Sequence, residues 1–485
     1  MKSLFLLFFS TCFLWPGLIH SQNTYELIHI DTVDTWSNDA LEDENGNIIT
    51  TISRKSGPTF SQSEIHSGLI FKIDQEGDTS IKRFSFGDTL FSFTHISRLN
   101  TKGYLISGKA KAPGSDSYLF MIMRIDDELN KVWRKFYDFP DYYSLSISKT
   151  FEVPSGIILA GSMRFFPAAG DTPFLLRINK EGDILAQYHY NDSAPPFDFL
   201  LSPDSTEIWC FCSYGLDPIN GPSLTAFDTS FYYLYSKVIP GYSMFSFDPK
   251  WYSDTTFLLS YKGQRPGASG QDDEHYINLY DTSLNLLYSN YFGAPDTSDY
   301  PAWRQTVDFR HPDSIFFAGW KNHDLGYPSP NVVSWIMTGQ LDSTLQPRYL
   351  HFIGGDAYYE ANYIIATSDG GSLICAGRWD PDKEVFDLLF MKLNREGFIV
   401  GTQPPGIEIM QALVYPNPAT DWLTVETALR NAILEVYNTK GNLVLTHQIQ
   451  GLKERINISQ LQAGAYIFNI STKDDYLETG KFIKH

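Results

Sequence analysis

The sequence predicts an all-β protein: a seven-bladed β-propeller, with six or eight blades as the neighbouring counts, followed by a small Ig-like β-sandwich. Three observations predict it. Short alternating apolar segments separated by Gly, Asn, Asp and Pro turns run through the whole chain, and helical periodicity is nearly absent from residues 22–405. One four-strand unit recurs, clearest over Ile365–Gly377 and Asp387–Gly397. The character changes after Pro404-Pro405-Gly406, where a differently patterned segment begins.

The repeat is anchored on its third strand. An apolar residue, Asp or Asn, two further residues and Gly or an apolar residue recur from Ile73-Asp74, Ile125-Asp126, Ile178-Asn179, Phe227-Asp228, Tyr280-Asp281, Leu341-Asp342 and Leu393-Asn394. The period is about 53 residues, the length of a four-stranded blade and not of a helical solenoid. An Asx side chain bonds the backbone ahead of it, and Gly accepts the positive φ that closes the turn. A second turn signature, between the first and second strands, keeps register with the first; Asn45-Gly46, Lys102-Gly103 and Asp369-Gly370-Gly371 are copies. The last unit ends after Phe398-Ile399-Val400, whereas Tyr25–Ile30 is a strand with no unit of its own. The N-terminal strand is therefore expected to complete the outer edge of the last blade and leave no long unpaired edge at the seam.

The chain begins with Lys2, an apolar run from Leu4 to Leu14 and a small residue before Gln22, the pattern of a secretory signal peptide over residues 1–21. It is too short to span a membrane. The expected organisation is a signal peptide (1–21), the propeller (22–403), a linker (404–410) and the C-terminal sandwich (411–485).

The chain carries a formal net charge of −19. Residues 410–485 hold equal numbers of acidic and basic groups, and Lys2 is the only charge of the first 21 residues, so residues 22–409 carry −20. Such a body repels nucleic acid and anionic lipid, whose binding needs clustered Lys and Arg. Cys210 and Cys212 are two apart on one strand, a poor spacing for a disulfide, and with Cys375 they read as buried small hydrophobes. No zinc-like spacing, nucleotide or haem signature, nucleophile elbow or metalloprotease motif is present, so neither a metal nor a cofactor is expected. The acidic run Gln271–His275 reads as a solvated loop.

In such a blade the short turns lie on one side of the disc. The longer second-to-third-strand loops (Arg54–Gly68, Phe165–Pro173, Lys262–Glu274, Asn322–Asn331, Trp379–Glu384) and the links between blades lie on the other. Function concentrates on loops held by a rigid scaffold. Trp303, Trp320, Trp379, Tyr300 and Tyr358 fall at or beside these loops and links and are the candidate ligand-binding residues. Aromatic rings stack on apolar sugar faces and carboxylates bond hydroxyls, so a glycan or a protein is the expected ligand. No catalytic residue is assigned. The alternative is a secreted polysaccharide-active hydrolase or lyase, favoured if Asp, Glu, His or Arg cluster in the central funnel.

The tail carries Tyr415-Pro416-Asn417-Pro418, Gly441 with Val444, Leu461-x-Ala463-Gly464-x-Tyr466 and Lys481-x-x-Lys484 at its extreme end. These motifs closely resemble the type A C-terminal sorting domain of the Bacteroidetes type IX secretion system, with Pro416, Asn417, Pro418, Gly441, Gly464, Tyr466, Lys481 and Lys484 as the sorting-signal positions. The resemblance covers only about the last 75 residues. It implies the type IX machinery and a sortase-like peptidase as partners, attachment to surface lipopolysaccharide, and residence at the outer-membrane surface or outside the cell. The body resembles uncharacterised propeller-like repeat regions found ahead of such tails. The tail is an address and leaves the activity of the body open.

Overall fold

A computed structural model of the chain describes residues 24–485, apart from 30–33, 57–63, 85, 87–88, 112–117, 140–141, 166–170, 190–195, 213–221, 241–244, 266–271, 295–296, 324–332, 381–384, 400–408, 411, 428–431, 441, 452 and 472–476. The expected signal peptide and most of the variable loops lie outside the described residues, as does most of the expected linker. Every named element among the described residues is a β-strand. None of them is a helix long and apolar enough to cross a membrane.

The first sheet sets the pattern. Asp34–Glu42, Ile48–Ser56, Glu64–Ile73 and Thr79–Arg83 pair antiparallel in chain order. Four further sheets repeat it, with innermost strands Leu90–Arg98, Tyr142–Val153, Pro196–Leu201 and Phe245–Ser253. In the sixth sheet the innermost position is shared by two short strands, Tyr300–Pro301 and Val307–His311, both paired with Ser314–Lys321. The seventh is built from Tyr359–Ala366, Ser372–Asp380 and Val385–Leu393, and its outer strand is Tyr25–His29, running from Tyr25 opposite Lys392 to His29 opposite Leu388. Ile409–Met410, inside the segment expected to be linker, pairs with Phe352 and Ile353 on the outer strand of the sixth sheet.

Burial explains the sequence pattern along each sheet. Middle strands are covered on both faces, as in Thr256–Gln264, where only the end residues are less than fully buried. They therefore read as continuous apolar runs, whereas outer strands such as Ile184–His189 stay largely exposed. Between sheets, the apolar clusters form a cycle. One core joins the first and second sheets, another the second and third, and so on to the sixth and seventh. A further core joins the seventh back to the first, packing Ile52 and Phe71 with Leu373, Cys375 and Phe390. Polar groups cross the same seam: the Tyr363 hydroxyl lies 2.8 Å from both Ser37 Oγ and Thr50 Oγ1. The body is all-β and propeller-like.

Each third strand ends in the turn its sequence demands. Asp74 Oδ1 accepts from the backbone N–H of Glu76 and Asp78, and Asn179, Asp228, Asp281, Asp342 and Asn394 make the same pair of bonds. The residue three beyond the Asx takes a positive φ in all seven turns: Gly77, Leu129, Gly182, Phe231, Leu284, Leu345 and Gly397.

The tail forms two antiparallel sheets. Leu413–Tyr415, Trp422–Glu426 and Lys453–Asn457 make one; Leu443–Ile449, Ala432–Asn438, Gly464–Ser471 and Leu477–Lys484 make the other. One core that includes Leu423, Val436, Ile456 and Phe468 lies between them.

Candidate functional site at the centre of the sheets

The innermost strands of five sheets, with the Trp303–Thr306 segment of the sixth, enclose a cavity of about 250 Å³. Its wall is charged, in contrast to the apolar cores packed between neighbouring sheets. Asp39, His95, Lys149, Asp198 and Asp248 come from five consecutive sheets, and Trp303, Arg304 and Gln305 from the sixth. A shared backbone device places the first four. The innermost strand carries a bulge between Ser37 and Asp39, Phe93 and His95, Ile147 and Lys149, and Pro196 and Asp198. A bulge re-aims the side chain that follows it, so each cavity residue is the first one after the bulge.

The carboxylates are held by different partners. Asp39 makes a close hydrogen-bonding contact with His95 Nδ1 and accepts from Gln305 Nε2 at 2.8 Å and the Ala40 and Ile96 N–H groups at 2.9 and 3.1 Å. Lys149 Nζ lies 2.9 Å from Asp198 and 3.8 Å from Asp248. Asp248 also accepts from Thr306 Oγ1 at 3.1 Å. Burial alone would lower the Lys149 ammonium, but Asp198 and Asp248, with a smaller contribution from Asp39, outweigh it and hold it above its ordinary value. Burial pushes the Asp198 carboxyl up against the pull of Lys149, and Asp248 pushes the same way.

Arg304 is held differently. Its backbone N–H bonds Asn362 O at 2.8 Å, which fixes the residue beside the seventh sheet. Its guanidinium reaches the third sheet, where it meets Ile147 O at 3.5 Å and Ser146 Oγ at 3.4 Å. Among the described residues it has no carboxylate partner.

The five aromatic candidates come together along the sixth and seventh sheets, but in different roles. Trp303 lines the cavity and is 49% exposed. Trp320 sits in the middle strand of the sixth sheet and is fully buried against Trp303, Tyr300 and His323. Tyr300 is partly buried, its hydroxyl 2.6 Å from Lys262 Nζ. Tyr358 and Trp379 are buried in a second cluster with Trp36 and Phe386. The expectation that all five meet a ligand therefore narrows to Trp303, which packs on Trp320, while Tyr358 and Trp379 belong to a separate core. Trp303 Nε1 lies 3.3 Å from Glu360 Oε2. Glu360 is 1% exposed; burial raises its carboxyl to about 7, against the hydrogen bonds from Trp303 and Tyr358.

The acidic run is not a solvated loop in its described part: Asp273–Asp281 is a strand. Lys262 pairs with Asp273 at 2.8 Å, and Arg265 contacts both Asp272 and Glu274. Among the described residues no group of three or more His, Cys, Asp or Glu side chains is placed to hold a metal. Cys210 and Cys212 are free thiols with sulfur atoms 3.4 Å apart, and Cys375 is also free.

At the sorting-signal positions, Pro416 and Asn417 are exposed and Asn417 Oδ1 accepts from the Ile483 N–H at 2.9 Å. Pro418 is exposed too, Gly464 has a positive φ, and Lys481 is exposed. Tyr466 stacks on Phe482 with ring centroids 5.3 Å apart, and Lys484 is buried. Gly441 lies outside the described residues.

Sequence reasoning did not single out the cavity wall. A signal existed: a polar or charged residue interrupts an apolar innermost strand at the same place in successive units, as His95 does within Phe93-Thr94-His95-Ile96. Which of the many strand polar residues face the centre is decided by the bulge, and no residue type specifies a bulge.

Residues 413–485 match the family described as the secretion system C-terminal sorting domain. The protein thus belongs to the class of exported proteins that carry a C-terminal address, here on an all-β, propeller-like body. In particular, the chain ends in a type IX sorting domain, a Bacteroidetes device that marks proteins exported to the cell surface or secreted, and the type IX machinery is its partner. No curated protein matches the chain. Among solved structures, the Dos1 propeller is similar at 11% identity and a TM-score of 0.40, over 77% of this chain and 95% of that one. An α-L-arabinanase from Penicillium chrysogenum, solved with arabinobiose, is similar at 12% identity and 0.38, over 61% and 91%. A member of the DUF4221 family from Bacteroides vulgatus is similar at 11% identity and 0.35, over 61% and 91%. Likenesses at this level carry no argument about activity.

Proposed function

We propose that this protein is a cell-surface binding propeller of seven blades, exported by its tail, that recognises a glycan or protein ligand in and around the central cavity. The sorting domain is released by a sortase-like peptidase near the linker, and the body is retained on surface lipopolysaccharide. The observation that carries the reading is the exposed Trp303 ring at the edge of a cavity lined mainly by charged and polar side chains. A flat ring beside hydrogen-bonding groups suits a sugar, which has apolar faces and a hydroxyl rim. The seven sheets and the cyclic order of their cores support the blade count.

One observation favours the second reading, a polysaccharide-active hydrolase or lyase. Asp198 and Asp248 share one ammonium in the cavity, and Asp39 orients His95 beside them. Paired carboxylates and an Asp–His pair are groups that acid–base catalysis uses.

A glycan and polysaccharide array with the mature chain, followed by product analysis on every hit, tests both. The binding reading expects a hit that Trp303→Ala abolishes, with no product. Released or unsaturated oligosaccharides would establish the enzyme instead. A blank array would remove glycans and leave proteins of the cell surface as ligands.

A further inference from the structure

The cavity wall holds three carboxylates and two permanent cations, and their pairing is uneven. Asp198 and Asp248 are both served by Lys149. Asp39 is satisfied by His95, Gln305 and two backbone N–H groups. Arg304 is the cation left over. Its guanidinium spans the centre to one carbonyl and one hydroxyl, at the long limit of hydrogen bonding. A guanidinium is always charged and presents a planar fork of five donors that matches a carboxylate or sulfate group. In a body that carries −20, a lining arginine without an acidic partner is the exception, and the adjacent residue is the exposed Trp303.

We infer that the ligand carries an anionic sugar unit, with its acid group on the Arg304 fork and its ring on Trp303. This rests on the glycan reading above. The size and charge of the site restrict the ligand further. A cavity of about 250 Å³ has room for a terminal unit and not for a strand. The acidic body repels a polyanion, because the repulsion grows with every charge brought near, while one acid group brings a single charge. The ligand class is thus a chain end or branch carrying a uronic acid or a sulfated sugar.

The test is calorimetric titration of the full chain with methyl glucuronide, glucose 6-sulfate and neutral methyl glucoside. An acid at least about tenfold tighter than the neutral sugar is expected, the effect of one charge-assisted hydrogen-bonded pair. The better of the two acids identifies carboxylate or sulfate as the source. Arg304→Gln is expected to bring the acid down to the level of the neutral sugar. Arg304→Lys, which keeps the charge without the fork, should retain part of the preference and guards against a folding defect. Trp303→Ala should weaken all three. Equal affinity for acid and neutral sugar, or an acid preference that survives Arg304→Gln, overturns this inference alone. No binding of any sugar overturns the glycan reading with it.

Discussion

Two side chains near the centre have consequences that single substitutions can measure. Glu360 is a buried carboxyl raised to about 7. A group whose folded pKa is raised contributes stability that is complete below its ordinary range and is lost as pH climbs through the folded value. Thermal melts of the parent and of Glu360→Gln, which keeps the shape without the titration, should therefore diverge as pH rises from 4 to 8. The variant should gain on the parent by about 2–3 kcal/mol over that range; parallel curves would show that folding does not raise the Glu360 carboxyl. Tyr363 bridges the first and seventh sheets through Ser37 and Thr50. Removing its hydroxyl in Tyr363→Phe takes one partner from each of two buried hydroxyls that still bond each other, and should cost roughly 1 kcal/mol in denaturant melts.

At the scale of the element, the seven Asx turns solve one problem in two ways. The residue at positive φ is Gly in three turns and Leu or Phe in four. Where it is Gly, an aromatic ring from the preceding sheet fills the place of the missing side chain. A Cβ on Gly77 would meet Tyr25 at 2.9 Å, one on Gly182 would meet Trp133 at 2.8 Å, and one on Gly397 would meet Tyr349 at 2.5 Å. Where it is Leu129, Phe231, Leu284 or Leu345, the side chain itself is buried; Phe231 shares its core with the small Ala186. The left-handed backbone costs a non-Gly residue of the order of 1 kcal/mol, which burial of a large apolar side chain offsets. Gly182→Ala should then destabilise by about 2 kcal/mol, from strain and from the clash with Trp133 together. In a Trp133→Ala background the same change should cost distinctly less. Additive costs in that double-mutant cycle would show that ring and glycine are independent.

For the molecule as a whole, the strand Tyr25–His29 is the outer cover of the seventh sheet. Deleting residues 24–30 would bare the edge of Val385–Leu393, a nearly continuous buried apolar strand. The expected result is self-association on size-exclusion chromatography and a lower melting temperature. A monomer with an unchanged melt would mean that this edge is protected by other contacts. Much at this scale could be read from the sequence because turns are local: Asp74 with Gly77 or Asp281 with Leu284 states a geometry within four residues. The sorting tail was legible for the same reason, since its motifs are short and ordered. The cavity was not, because Asp39 and Arg304 are 265 positions apart and meet only through the cyclic stacking of sheets. Nor was the burial of Trp320 and Tyr358. Their neighbourhood of Gly, Pro and Asp reads as loop, while their rings turn inward, Trp320 against Trp303 and Tyr358 against Phe386.

The antiparallel pairing of Tyr25–His29 also sets where mechanical load travels. If the body is anchored through the C-terminal end left after release of the sorting domain and is tugged at its centre, it is stretched between the innermost strands and the chain leaving Leu393. That path crosses the seventh sheet from inside outward and stops one strand short of its rim. Tension would first peel the two-residue clip at Ile409–Met410 and then pull on Val385–Leu393. The N-terminal strand hangs outside the path as a slack clasp, so traction at the centre does not run through the pairing that covers the seventh sheet.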